Sequence, residues 1–197
     1  MGAAGLVGIF SIYTLFHLPE IIVQNGFILF GFVLIYFGIV NLLGLQKVLY
    51  KEPSIAILYS LGIFLAPLSL YPQEIPLPVL GLLLEYIFLA YLNLLLFAYF
   101  EFSIDEMENH VSSVRFWGVS NARKMMFGIC MGFLLVFSGV LLQSFQDFTL
   151  LKIQAIALLM FISLAWILFY EDAFKKKNRY RVLGDAVFLY PIIYFLL

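Results

Sequence analysis

The run GLLLEYIFLAYLNLLLFAYFEF, residues 81–102, decides the fold class of this chain. It is almost entirely apolar over a length that matches the roughly 20 residues that a helix needs to cross a bilayer. The rest of the chain has the same character. Of its 197 residues 64% are hydrophobic and 12% are charged, whereas a soluble domain is about half apolar and about a quarter charged. The composition therefore predicts an integral, multi-pass membrane protein.

Charged residues and prolines divide the chain into about seven apolar segments, each a candidate helix crossing. The segments are residues 2–18, 21–45, 54–71, 79–102, 125–143, 153–170 and 182–197. The first and the last are short for a full crossing. We therefore predict an all-α, polytopic membrane helical bundle with about seven transmembrane helices, in which residues 1–197 form a single domain.

The basic residues predict the orientation of this bundle. Ten of the eleven Lys and Arg follow the second, fourth or sixth segment, and Lys152 is the exception. Connections rich in Lys and Arg stay in the cytoplasm, so the N-terminus and the acidic connection after residue 102 are expected to be cytoplasmic, in a bacterial inner membrane. The run KKKNRYR, residues 175–181, is interpreted as a topology signal, with contact to anionic lipids as a second possibility. The net charge of −1 gives no information about nucleic acid, and no nucleic-acid partner is expected.

Three polar residues interrupt the apolar run at steps of eight: Glu85, Asn93 and Glu101. At about 100° per residue, each step turns the helix by only about 80°, so the three spread across one broad face. Ionisable groups inside a membrane usually face a cavity or a partner. Two interpretations stay open. Asn93 bonds a neighbouring helix while Glu85 snorkels or is protonated, or both residues form the polar wall of a substrate chamber.

A second polar feature is the acidic passage FEFSIDEMENHVSSVRFWG, residues 100–118. Glu101 and Asp105 are four residues apart, so both carboxylates project from one face if the helix continues that far. Mg²⁺ is typically held by one or two carboxylates, with phosphates and waters completing its shell. The pair is therefore a candidate metal site, and a solvated helix end is the other interpretation.

Extended along the chain, this passage resembles a known motif. The spacing Glu101-x3-Asp105-x6-Ser112-x5-Gly118 is similar to the second aspartate-rich motif of the UbiA-type intramembrane prenyltransferases. Members of that family have nine helices, and three of them follow this motif, as three segments follow it here. The resemblance implies that the chain corresponds to the third through ninth helices of a UbiA-like fold and lacks the first two.

The resemblance also implies a chemistry. UbiA-type enzymes bind an isoprenyl diphosphate through Mg²⁺ and transfer the isoprenyl group to a hydrophobic acceptor, aromatic or lipid, in the bilayer. Glu101 and Asp105 would then be ligands of the metal or the diphosphate, and Arg115 would add positive charge for the diphosphate. The family's other acidic motif, of NDxxDxxxD type, does not occur in these residues. One acidic pair neutralises only part of the developing charge, so catalysis by this chain alone is in doubt.

A non-enzymatic function is the alternative. The chain would then be a small transporter or an interaction subunit, with Glu85 and Asn93 as its polar pathway. Polar residues within membrane helices commonly mark such pathways.

Overall fold

A computed structural model of the protein describes residues 13–14, 16–42, 51–71, 74–108, 112–145 and 147–196. These residues are 91% helical and contain no strand, which confirms the all-α prediction for the described part of the chain. The α-helices are α1 Glu20–Leu42, α2 Lys51–Ser69, α3 Leu77–Met107, α4 Ser113–Trp117, α5 Val119–Ser144, α6 Phe148–Phe169, α7 Glu171–Lys175 and α8 Arg179–Val187. Two 3-10 helices, Lys176–Asn178 and Tyr190–Leu196, complete the described elements.

Five of these helices are long and apolar enough to cross a membrane: α1, α2, α3, α5 and α6. Their mean hydropathy lies between 1.3 and 2.4. The described residues are therefore consistent with an integral, multi-pass membrane protein. The predicted count of seven spans is not confirmed, because most of the first predicted segment, residues 2–18, lies outside the described residues.

The last predicted segment, residues 182–197, differs from the expectation of one apolar helix. Helix α8 ends at Val187, and Tyr190–Leu196 continues as a 3-10 helix. Pro191 lacks a backbone N–H, and its ring disfavours a continuing α-helix. The turn is closed instead by a short-range bond in which the N–H of Ile192 donates to the carbonyl of Leu189 at 3.0 Å. Two short elements therefore stand where the sequence predicts one crossing.

Helix α3 is the centre of the bundle. It packs against α2, α4, α5, α6 and α8, and half of its most apolar window is buried. The largest fully buried side chains include four leucines of α3 and their partners on α5 and α6: Leu89, Leu92, Leu95, Leu96, Met126, Phe133, Met160 and Leu164. Helix α1 is peripheral, since only 6% of its window is buried. Glu85 and Asn93 of α3 are consequently among the polar residues that the fold removes from lipid and water.

The length of α3 places Glu101 and Asp105 beyond its apolar part. Its 31 residues span about 46 Å at about 1.5 Å per residue, whereas the hydrocarbon core is about 30 Å thick. The sequence prediction ended this helix at residue 102, and the structure extends it to Met107. Asp105 therefore lies on the same helix as Glu101.

Candidate functional site

The ends of several helices meet at one end of the bundle, and polar side chains hold them together. Six residues define this polar end: Glu52 of α2, Glu101 of α3, Ser113 of α4, Arg123 of α5, Glu171 of α7 and Arg181 of α8. Each contact joins residues that are far apart in the chain, so the cluster exists only in the folded protein.

Glu101 is bound by two side chains of α8. Its Oε1 accepts a hydrogen bond from Nε of Arg181 at 2.8 Å and another from the hydroxyl of Tyr180 at 3.3 Å. The Arg181 side chain is 50% exposed and that of Glu101 is 24% exposed. The ring of Tyr180 stacks on Phe100, with centroids 4.6 Å apart. One of the two predicted metal ligands is thus engaged by a guanidinium.

The same contacts shift the pKa values of two side chains on α8, Tyr180 and Arg181. Burial raises the pKa of the Tyr180 hydroxyl, the negative charge of Glu101 raises this pKa further, and Arg181 opposes the increase. The hydrogen bond to Glu101 and then the charge of Glu101 raise the pKa of Arg181. The arrangement therefore favours a neutral Tyr180 beside a charged Glu101–Arg181 pair.

Asp105 and Arg115 are the other two residues of the predicted diphosphate site. Asp105 lies one helical turn after Glu101 on α3 and is partly exposed. Because α3 continues to Met107, the two carboxylates share one face of the helix. Arg115 is exposed on the short helix α4, which packs against both α3 and α5.

Ser112 and Gly118, which complete the motif resemblance, bracket α4. Ser112 is its N-cap, and its Oγ accepts the backbone N–H of Arg115 at 3.4 Å. Gly118 joins α4 to α5 with φ of +81°, in the region that favours glycine because a Cβ is strained there. These two residues set the path of the chain that returns from α3 to α5.

A second carboxylate, Glu171, repeats the pattern found at Glu101. Its Oε2 accepts a hydrogen bond from the hydroxyl of Tyr99 at 2.9 Å. Nη2 of Arg123 lies 3.3 Å from Oε1, close enough for an ion pair, although that oxygen has no hydrogen bond within the described residues. The contact joins α3, α5 and α7, and sequence reasoning missed it because Tyr99 and Glu171 are 72 positions apart.

Glu52 is the third carboxylate of the polar end, and it too was missed. It is 6% exposed, and it accepts the backbone N–H of Ser113 at 2.9 Å as well as the Ser113 hydroxyl. An acidic residue in the first turn of a helix is ordinary on electrostatic grounds. Nothing in its local sequence therefore distinguishes a buried carboxylate from a solvated one.

The two polar residues deeper in α3 contact different helices. Glu85 is fully buried, and Nε2 of Gln154 on α6 donates to both of its carboxylate oxygens, at 2.9 and 3.0 Å. Asn93 is 7% exposed and lies against Gly184 of α8. Its Oδ1 has no hydrogen-bond partner in the described part of the chain. A spacing of about 12 Å along the helix separates Glu85 from Asn93, so they do not touch.

The described ranges contain no group of three or more His, Cys, Asp and Glu side chains suited to hold a metal ion. Comparisons of the chain with protein-family models, with curated proteins and with solved structures gave no match.

Proposed function

We propose that this chain is a UbiA-like prenyltransferase homologue that binds a prenyl diphosphate with Mg²⁺ at the polar end. The observation that carries the proposal is the placement of Glu101 and Asp105 one turn apart on the last turns of α3, beside Arg181. The motif spacing from Glu101 to Gly118 supports the same assignment.

The donor set fits Mg²⁺. Both contacts that Glu101 receives from α8 end on Oε1, and Asp105 is partly exposed. Magnesium is usually held by only one or two carboxylates, while waters and phosphate oxygens fill its remaining positions. A pair of carboxylates is therefore sufficient for a metal that arrives together with a diphosphate. Bound there, Mg²⁺ would neutralise charge on the departing diphosphate.

The residues of the chain would bind and orient the substrate. Arginine guanidinium groups are strong partners for phosphate oxygens because their donors match them in a fixed geometry. Arg181 and Arg115 are exposed at this end, where they would bind the diphosphate, and the isoprenyl chain would extend into the apolar bilayer region. The bond between the allylic carbon and the diphosphate oxygen would break with its electron pair going to the diphosphate. The aromatic or lipid acceptor would then bond to the allylic carbon, and the proton displaced from the reacting atom of the acceptor would go to the diphosphate or to solvent.

Binding of a labelled prenyl diphosphate to the purified protein, with and without Mg²⁺, tests the proposal. We expect Asp105→Asn to weaken the Mg²⁺-dependent binding by at least about tenfold, as even outer-shell changes at metal sites do. Glu106→Gln is the matched control, because Glu106 is the adjacent carboxylate, is exposed and points about 100° away around the helix. Equal affinities of the wild type and Asp105→Asn would refute the site.

A second candidate function is a non-enzymatic multispan protein, either a small transporter or an interaction subunit. The complete burial of Glu85 against Gln154 inside two candidate spans favours it. In that case Glu85→Gln should abolish flux of the transported solute in vesicles while diphosphate binding stays unchanged. Flux that survives the substitution would exclude the transporter.

A further inference from the structure

Glu85 and Gln154 form an isolated polar pair inside the membrane-spanning part of the bundle. Glu85 is in α3 and Gln154 is in α6, and both helices are candidate spans. Their side chains are among the largest that are fully buried. Neither side chain is therefore in contact with solvent, and Gln154 supplies the hydrogen bonds that Glu85 receives.

The surroundings of Glu85 offer little compensation for a negative charge. Two ion pairs, Arg123 with Glu171 and Arg181 with Glu101, lie at the polar end and not beside Glu85. An ionised carboxylate in an apolar interior is costly unless it is paired and fully hydrogen-bonded. Glu85 receives hydrogen bonds from a single neutral nitrogen.

The titratable groups around the pair are few. Tyr86 follows Glu85 on α3, and Tyr59 of α2 interacts electrostatically with Tyr86. On α6, Lys152 lies two residues before Gln154, and its Nζ is 4.9 Å from the centroid of the Phe148 ring. Within the described residues, Tyr86 and Lys152 are the titratable groups within one helical turn of the pair on α3 and α6, and Tyr59 is the one that interacts with Tyr86.

One polar atom of the pair lacks a hydrogen-bond partner, and its chemistry indicates which ligand the pair can bind. Oε1 of Gln154 is buried and has no hydrogen-bond partner within the described residues. A primary amide carries donors and an acceptor, and a protonated carboxyl also gains a donor. The terminal torsion of glutamine is soft, so the amide can turn until Oε1 and Nε2 each face one oxygen of Glu85. The acid O–H then donates to Oε1, and Nε2 keeps the other oxygen.

We propose that Glu85 and Gln154 form an intramembrane proton-binding site. One proton from solvent bonds to a carboxylate oxygen of Glu85, the charge of the pair changes from −1 to zero, and Gln154 supplies an acceptor for the new O–H. The site suits a proton rather than a metal ion, since the described residues contain no group of three or more His, Cys, Asp and Glu side chains that could hold a metal. The inference does not depend on the prenyltransferase proposal. For the transporter alternative it names the proton as a ligand, but the site does not require transport.

Infrared difference spectroscopy of the protein in lipid vesicles tests this site. We expect a carbonyl stretching band of a protonated carboxyl group at neutral pH, which Glu85→Gln removes. The substitution is nearly isosteric, and the new amide can also pair with Gln154, so the variant should fold. Absence of the band from the wild type from mildly acidic to mildly alkaline pH would overturn the proposal.

Two further variants separate Glu85 from the other groups. Gln154→Leu removes the acceptor, so the band should move to the higher frequency of a carboxyl group without a hydrogen-bonded partner. A band that does not move in this variant overturns the pairing. Glu52→Gln is the matched control for a buried carboxylate at the polar end, and it should leave the band in place. If Glu52→Gln removes the band and Glu85→Gln does not, the proposal fails.

Discussion

Nε of Arg181 donates to Oε1 of Glu101 across 2.8 Å, and this ion pair joins residues that are 80 positions apart in the chain. It links α8, near the end of the chain, to the last turns of the central helix α3. Because the Arg181 side chain is 50% exposed, water screens the pair, and such an exposed pair contributes little to the stability of the fold. The pair therefore acts mainly through its effect on neighbouring charges and on any anion that reaches this end.

The first prediction concerns Tyr180. Burial and then the charge of Glu101 raise its pKa above the ordinary value, whereas Arg181 lowers it. Glu101→Gln should therefore lower the pKa of Tyr180, and Arg181→Gln should raise it. NMR titration of ring-labelled tyrosine measures both shifts, with Tyr180→Phe to assign the signal. Shifts of the same direction in the two variants would contradict the contact geometry.

The raised pKa of Tyr180 also determines how the stability of the protein depends on pH. The folded protein holds the Tyr180 proton more tightly than the unfolded chain, whose ordinary pKa is 10.0. Tyr180 therefore contributes its full stabilisation to the free energy of unfolding at a pH below the pKa of the unfolded chain. This stabilisation is lost as the pH rises through the higher pKa of Tyr180 in the folded protein. Unfolding midpoints measured at alkaline pH should fall less steeply in Tyr180→Phe than in the wild type.

A second prediction concerns Glu52. Glu52→Ala leaves the N–H and hydroxyl of Ser113 without their acceptor in a buried site, and each unsatisfied donor costs about 1–3 kcal/mol. Thermal unfolding in detergent should show a clear loss of stability. Glu106→Ala is the control, because Glu106 is exposed on α3, and it should change the midpoint little. Equal midpoints for the two variants would show that the Glu52–Ser113 contact does not stabilise the fold.

A third prediction concerns the contact between α3 and α8 at Gly184. A Cβ built there would lie 2.5 Å from Oδ1 of Asn93 and 2.6 Å from the ring of Phe97. Gly184→Ala should therefore destabilise the protein by about 1–3 kcal/mol, the usual cost of overpacking. Gly128→Ala provides the comparison, because nothing lies within 4 Å of its Cβ position. The same unfolding assay should separate the two, and a harmless Gly184→Ala would contradict this packing.

A fourth prediction concerns orientation. Ten basic residues follow the second, fourth and sixth predicted segments, and the positive-inside rule places these connections in the cytoplasm. In a Cys130→Ser background, Lys152→Cys should react with a membrane-impermeant thiol reagent added outside intact cells. Lys176→Cys should react only after the membrane is opened. The reverse labelling pattern would place the polar end outside.

The apolar character, the helical class and the approximate positions of the long helices follow from the sequence by itself. These properties depend on local composition. An apolar run such as residues 81–102 is unfavourable in water in any fold, and in lipid it forms a helix because its backbone N–H and C=O groups must bond to one another. The prediction was weakest at the ends of the helices. Polar residues continue α3 to Met107, and Pro191 divides the last apolar segment, because helix ends depend on packing and on single residues rather than on average hydropathy.

The partners of the carboxylates were decided only by the tertiary structure. Glu85 meets Gln154 across 69 positions, and Glu52 meets Ser113 across 61. An acidic residue looks the same in a sequence whether it faces water, an arginine or an amide, since its solvation is fixed by the helices around it. Only the packing of α3 against α6 and α8, and of α2 against α3, determines which acids are removed from solvent and which side chains must satisfy them.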